Sequence, residues 1–337
     1  MVLRLIPDLS ISMINPFLPR VAFTQADDMV GSACWWYRTH LPSTYYKIQG
    51  GSVVDPGSAD IIHVARMGAR SRFDILRKLK AQGKKIVYDL DDDFWSLSYD
   101  VCKNAIPGYL NTVNETAALC DAVIVTTQSL ADAVIKATGK SVYVAPNFLC
   151  TKSWGGPAKL PDFGNKPVLL ASGGNGHIDD FKILADISRL PEMRQFQWII
   201  WGSDYFRNII PGSVWMPRVS LNDYFSTLLA LGKLTNILGV QSLLNNQFNK
   251  SVSKLKWMEY TYAGIPGIYS ELAEYSGYAN RTVPGSATAK QWAEQILDAY
   301  ECRQEILVKD KQRLAEVVYM DTGIKYWEDI FLKVAYG

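Results

Sequence analysis

Apolar and polar positions along this chain fall into two alternating kinds of block. Short continuous apolar runs have strand length. The longer stretches between them repeat their apolar residues every three or four positions, as one face of a helix does. In the first half, residues 61–64, 85–90, 122–126 and 142–145 read as strands. Between them a basic segment turns Phe73, Leu76 and Leu79 to one face, and a helical stretch ends at residues 117–119. Residues 129–135 form a further helix, with Ser129 as the candidate N-cap. Helices alternating with short apolar strands predict α/β architecture, a parallel sheet covered on both faces.

Residues 146–165 interrupt this pattern with Pro146, Gly155, Gly156, Pro157, Pro161 and Gly164, which is linker composition. The alternation then restarts. Strands are expected at 168–171, 196–201, 237–240 and 268–270, and helices at 179–190, 221–231 and 255–263. The last of these stops at Gly264 and Pro266, an ordinary C-terminal stop. The tail from 289 to 336 is helical. Two α/β domains follow, one over 1–150 and one over 151–315, with a C-terminal helix in 316–337.

Bulk composition agrees. A chain of 337 residues suits two cores rather than one. Its 48% apolar and 20% charged residues are those of a folded, soluble protein. No run approaches the roughly 18–20 apolar residues of a membrane span. Pro7, Asp8 and Pro16 break the N-terminal stretch, so no signal-peptide core is expected there. Five cysteines, at 34, 102, 120, 150 and 302, form no CxxC pair, and their odd number argues against a disulfide framework. A reducing, cytoplasmic setting is expected.

The net charge of +2 demands no nucleic-acid partner. Locally, Arg66, Arg70, Arg72, Arg77, Lys78, Lys80, Lys84 and Lys85 face a single acid, Asp74. This run is either the solvated face of a helix or a surface for a polyanionic acceptor.

Two segments carry candidate chemistry. Ser172-Gly173-Gly174-Asn175-Gly176-His177 follows a strand and precedes a helix. Glycines there let backbone approach a ligand, and the helix start offers amides to a phosphate. The same segment is also readable as a plain structural turn, and His177 as a structural histidine. The second segment runs from Phe248 to Pro266. Asn249 and Ser253 lead into a helix whose first turn holds Lys254, where a cation opposes the dipole unless an anion binds beside it. Glu259 points roughly 140° round the helix from Lys254, so the two would touch different parts of an extended nucleotide. The bland alternative is a surface helix with a solvated Lys and Glu.

Together these segments resemble the C-terminal half of GT-B fold glycosyltransferases, especially the retaining group similar to glycogen synthase and sucrose-phosphate synthase. There a Lys-bearing helix runs into an acidic residue and a small-Gly-x-Pro turn, as in Lys254…Glu259-Tyr260…Ala263-Gly264-Ile265-Pro266. Gly173-Gly174-Asn175-Gly176-His177-Ile178-Asp179-Asp180 resembles the group's Gly-Ser-x-x-His-x-x-Asp loop. Trp36-Tyr37-Arg38-Thr39-His40-Leu41-Pro42 resembles a Tyr-Arg-x-x-x-Pro motif of the first half, and the stretches at 122–127 and 144–147 resemble its last strand ends. One departure stands out. The larger group carries a pair of glutamates; the second aligns with Glu259 and the first with Ser251, which supplies no charge.

The resemblance implies two Rossmann-like domains with parallel sheets facing across a cleft, the C-terminal helix packing back on the first. It implies transfer of a sugar from a nucleotide-sugar, with a UDP-sugar the default, to a hydroxyl of a glycan, polysaccharide or protein. The implied donor residues are Gly173, Gly174, Asn175, His177, Gly202, Phe248, Asn249, Ser253, Lys254 and Glu259. Tyr37, Arg38, Asp91, Asp92 and Asp93 fall on the acceptor side. Lys254, Glu259, His177 and Asp92 are the catalytic candidates. Asp89-Leu90-Asp91-Asp92-Asp93 has the look of a metal-binding Asp-x-Asp motif, but the donor signals lie in the other half, so no metal and no cofactor beyond the co-substrate is expected. Acceptor handling and local capping are its other readings.

Two other functions fit. The basic run and Trp35-Trp36-Tyr37 would suit a DNA acceptor with a hydroxymethylated base, the aromatics stacking beside a flipped base or else packing in the core. A non-catalytic sugar-nucleotide or glycan-binding module would keep the fold; Lys254, Glu259 and His177 together argue against it.

Overall fold

The computed structural model describes residues 14–25, 32–66, 70–97, 109–152, 154–272, 274–317 and 319–337. The N-terminal stretch read above and Cys102 lie outside them. The chain divides into two units, Met1–Ser153 with Val318–Gly337, and Trp154–Val317.

The first unit contains β1 (Val21–Gln25), α1 (Ala33–Trp35), a π-helical turn (Trp36–His40), α2 (Leu41–Ile48), β2 (Ile61–Ala65), α3 (Arg70–Ala81), β3 (Lys85–Leu90), α4 (Tyr109–Leu119), β4 (Ala122–Val125), α5 (Gln128–Thr138) and β5 (Val142–Val144). Its five strands pair in parallel in the order β1-β2-β3-β4-β5. Every residue of β2 and β4 is buried, which explains why β4 reads as an unbroken apolar run and β2 as one broken only by His63. Phe73, Leu76 and Leu79 of α3 enter the core below the sheet, as their spacing requires.

The cap of α5 differs from expectation. Thr127, not Ser129, accepts the Leu130 amide. An N-cap needs extended backbone, and Thr127 has it at φ −140°, ψ 158°, whereas Ser129 lies inside the first turn.

The second unit contains β6 (Val168–Gly173), α6 (Ile178–Ser188), β7 (Gln197–Gly202), β8 (Val214–Pro217), α7 (Leu221–Leu231), β9 (Ile237–Gln241), α8 (Gln247–Lys250), α9 (Leu255–Ala263), β10 (Gly267–Ser270), α10 (Tyr275–Tyr278), β11 (Thr282–Val283), α11 (Ala289–Glu301) and α12 (Arg303–Leu314). Its strands are parallel in the order β11-β10-β9-β6-β7-β8. The chain lays down β6, β7 and β8 in one direction, then crosses to place β9 on the other side of β6. The strand order therefore reverses between β6 and β9. In open α/β sheets the crevice beyond the carboxyl ends of two such strands is where ligands bind. Asp310 of α12, 1% exposed, accepts the Asn280 amide at 2.8 Å. Burial pushes its carboxyl up to about 6.

The chain then returns to the first unit as α13 (Met320–Tyr336). Trp327 and Phe331 of this helix close over His63 of β2, with ring centroids 5.3 and 6.4 Å away. No helix among the described residues is long and apolar enough to cross a membrane. The described cysteines, Cys34, Cys120, Cys150 and Cys302, are free thiols.

Candidate functional site

The two segments singled out from sequence follow β6 and β9, the strands that flank the switch point. β6 ends at Gly173, beside Gly202 at the end of β7. Gly202 has φ +145°, and a side chain there would collide with the Gly173 carbonyl. The two strand ends thus approach each other through bare backbone. A 3-10 turn over Asn175–His177 then leads into α6, and the His177 amide bonds the Gly174 carbonyl at 3.1 Å.

Asp180 ties this loop to the other one. Its Oδ2 lies 2.7 Å from His177 Nδ1. Its Oδ1 accepts both the Leu244 amide and the Asn249 side-chain amide, each at 2.7 Å. Asn249 is 1% exposed and also donates to the Leu244 carbonyl at 3.0 Å. The Phe248 ring packs 5.8 Å from the His177 ring. Gly173, Gly174, Asn175, His177, Gly202, Phe248 and Asn249 are therefore one local assembly. Its hub, Asp180, stands at the Asp position of the Gly-Ser-x-x-His-x-x-Asp pattern but is not among the implied site residues; it lies in the first turn of α6, where a carboxylate complements the dipole. Because a carboxylate only accepts, Nδ1 of His177 carries a proton, and in the neutral ring Nε2 is then an acceptor.

Ser253 and Lys254 open α9, and Lys254 occupies the N-cap position. Its ammonium lies 3.2 Å from Glu274 Oε2 and 3.8 Å from the centre of the Tyr278 ring. Farther along α9, Glu259 is 1% exposed and faces α7. Its Oε2 accepts the Tyr224 hydroxyl at 2.6 Å and the Lys256 ammonium at 3.0 Å. Lys254 and Glu259 thus diverge from the helix, as their spacing predicts, and each already has a charged partner. The next residue, Tyr260, anchors α9 to β6 through its hydroxyl, 2.7 Å from Ser172 Oγ. Gly264 ends the helix in left-handed conformation at φ 92°. Ser251, in the place of a second carboxylate, is 1% exposed and has its Oγ 3.5 Å from the Gln247 carbonyl.

The residues assigned to the acceptor side behave differently. Arg38 is 2% exposed. Its Nε donates to Asp89 Oδ1 at 2.9 Å and its Nη1 to the Ala145 carbonyl at 2.7 Å, with the Trp327 ring 4.7 Å away. Asp89 also holds His63 Nε2 at 3.0 Å. Arg38 is a buried tie between the π-helical turn, two strand ends and α13, not an acceptor-facing cation. Tyr37 and Trp36 of the same turn are buried as well, which corrects the base-stacking reading for both. Trp36 and Trp35 instead stack on His40, with centroids 4.8 and 4.7 Å apart.

Asp93 is likewise buried, and its Oδ1 accepts the Trp95 amide at 3.2 Å, a local turn contact. Asp91 and Asp92 are both paired with Arg66, which follows β2 in left-handed backbone at φ 39°. Burial alone would raise the Asp91 carboxyl, but the Arg66 charge and hydrogen bond outweigh it and hold it below the usual range. Among the described residues, no group of three or more His, Cys, Asp or Glu side chains is placed to hold a metal ion. The basic run is thinned too. Arg66 serves Asp91 and Asp92, while Lys80 and Lys85 share Asp121 at 2.6 and 3.9 Å.

No protein-family model matches this chain, and no curated protein matches it. Solved structures do. Sucrose-phosphate synthase from Thermosynechococcus elongatus is similar at TM-score 0.58 and 14% identity, over 87% of this chain and 77% of its own. Anabaena HepE, solved with UDP-glucose, is similar at TM-score 0.59 and 13% identity, over 93% of this chain and 99% of its own. An α-glucosyltransferase solved with UDP and a 13-mer DNA containing an HMU base is similar at TM-score 0.62 and 11% identity, over 93% and 99%. The likeness is one of architecture: this chain has the α/β fold of the GT-B glycosyltransferases, two Rossmann-like units each built on a parallel sheet.

Proposed function

We propose that the protein is a glycosyltransferase that moves a sugar from a nucleotide-sugar, a UDP-sugar first among them, to a hydroxyl acceptor on a glycan, polysaccharide or protein. One observation carries this reading. Asp180 laces the Gly173–His177 loop to the Leu244–Asn249 loop at the carboxyl ends of β6 and β9, and Lys254 stands at the start of the helix that follows. Nucleotide phosphates bind where strand order reverses, against glycine-rich turns and helix starts. The similarity to proteins solved with UDP-glucose and with UDP agrees with the donor class.

In this reading the diphosphate lies against the Gly173–His177 loop and the first turn of α9. Negative charge grows on it as the glycosidic bond breaks. Lys254 and the helix amides stabilise that charge, a contribution present mainly in the transition state. Nε2 of His177 is presented as an acceptor for a sugar hydroxyl, and Glu259 is assigned to the ribose. Transfer with retention needs no protein base, because a donor phosphate oxygen takes the acceptor proton. Inversion needs a carboxylate base. Of the acidic cluster, Asp93 is buried, Asp91 is held below the usual range by Arg66, and Asp92, also paired with Arg66, is the carboxylate an inverting reaction would have to use.

The test is transfer and donor hydrolysis with UDP-, GDP- and ADP-sugars. Lys254→Ala is expected to lower turnover on the order of 10²-fold, and Glu259→Gln to raise KM for the donor, both with unchanged far-UV circular dichroism. Near-normal kinetics in both variants would sink the assignment. Silence of the wild-type chain with every donor would favour a binding module.

A second acceptor class has its own support. The α-glucosyltransferase bound to DNA shares the fold, and α3 keeps Arg77 and Lys78 exposed. If the acceptor is a hydroxymethylated base in DNA, duplex binding weakens steeply with salt. Absence of duplex binding at low salt rejects this alternative.

A further inference from the structure

Lys254 is 8% exposed and stands at the start of a helix, so burial and the helix dipole both oppose its charge. The chain answers with two groups from the next turn region. Glu274 supplies a carboxylate at 3.2 Å, and Tyr278, one helical turn later, supplies a ring face at 3.8 Å. The two differ in what they can do next. Tyr278 is uncharged and has no reason to leave when an anion arrives. Glu274 is an anionic oxygen ligand, the same kind of ligand as a diphosphate, and the two compete for one ammonium. The Glu274 side chain is 26% exposed, so it can turn into water without leaving a charge stranded in the core.

We propose that Glu274 is an exchangeable counterion of Lys254: it yields the ammonium to a nucleoside diphosphate on binding and reclaims it as the nucleotide product leaves. The inference rests on the reading of Lys254 as a diphosphate ligand. It makes Glu274 a positioning residue that acts through Lys254. It also makes the intrinsic affinity of the site higher than the apparent one, with the difference given over to product release. Tyr278 holds the ammonium in place while the anions exchange.

Calorimetric titration of the full chain with UDP, GDP and ADP tests this, together with stopped-flow dissociation of the nucleotide that binds. Glu274→Gln keeps the size of the side chain and removes its charge. It is expected to tighten nucleotide binding on the order of threefold to tenfold, mostly by slowing dissociation. A merely structural role would not tighten binding. In a Lys254→Ala background the same substitution is expected to change nothing, because the competition has lost its object. Unchanged or weaker binding by Glu274→Gln, while Lys254→Ala weakens it, overturns the exchange and leaves the donor site standing. Wild-type affinity in Lys254→Ala, or no binding of any of the three nucleotides, overturns the donor site and the exchange with it.

Discussion

Nδ1 of His177 lies 2.7 Å from Oδ2 of Asp180, three residues on and one turn into α6. The same carboxylate holds the loop after β9 through Leu244 and Asn249. One side chain therefore sets both the tautomer of a candidate catalytic histidine and the spacing of the two loops around it.

Asp180→Asn should separate these two roles. Its amide oxygen can still accept, but its nitrogen opposes one of the donors it now meets. Turnover is expected to fall on the order of tenfold to hundredfold, as when a carboxylate that orients a functional histidine is lost. The loss should lie in kcat more than in donor KM. An effect on melting temperature alone would show that the contact is only structural.

Arg38→Ala should act on folding. The guanidinium and the Asp89 carboxylate are both buried, and removing the guanidinium leaves the carboxylate with His63 as its remaining side-chain partner. The expected loss is about 3–5 kcal/mol of stability, read by denaturant melts. A stable variant with a raised acceptor KM would restore the acceptor-side role first read from its sequence motif.

Asp310 makes stability depend on pH. Its carboxyl is raised in the folded chain to about 6, so the fold binds a proton that the unfolded chain has already released. Its contribution to stability is fully present below the unfolded value near 4 and is lost as pH rises through about 6. Asp310→Asn keeps an acceptor for the Asn280 amide and removes the charge. Between pH 4 and 7.5 the wild type should lose on the order of 2–3 kcal/mol of stability that the variant keeps. An equal difference at both pH values would contradict this.

We further propose that transfer runs without a divalent ion, Lys254 and the amides of α9 taking the charge of the diphosphate. Excess EDTA should leave turnover within about twofold. A loss that Mg²⁺ or Mn²⁺ restores would overturn this.

Much of the architecture was written in local pattern. Residues 85–90, 221–231 and 255–263 coincide with β3, α7 and α9 because each is a clear apolar run or amphipathic stretch ending in a glycine or a turn. β1 escaped because Val21–Gln25 is only half apolar and lies at the sheet edge. β8 escaped because Val214–Pro217 is four residues long and ends in a proline. The π-helical turn Trp36–His40 has no local signature; it is set by where Arg38 must reach. The same limit governs the site. Glycines, Lys254 and His177 announce themselves by neighbours in sequence. Asp180 shares the motif of His177, but its ties to Leu244 and Asn249, like the pairing of Glu274 with Lys254, become legible only when strands and loops distant in sequence are brought side by side.

The return of α13 to the first unit bears on how the chain is made. The second unit is one uninterrupted stretch, and all of its sheet is present by the time Val283 has been synthesised. The first unit begins earlier but finishes later. Until Trp327 and Phe331 emerge, His63 and the Arg38–Asp89 pair lack the cover that removes them from water. On the ribosome, the half that starts second has its parts complete first. The half that starts first must wait, its charged interior open, for its own last helix.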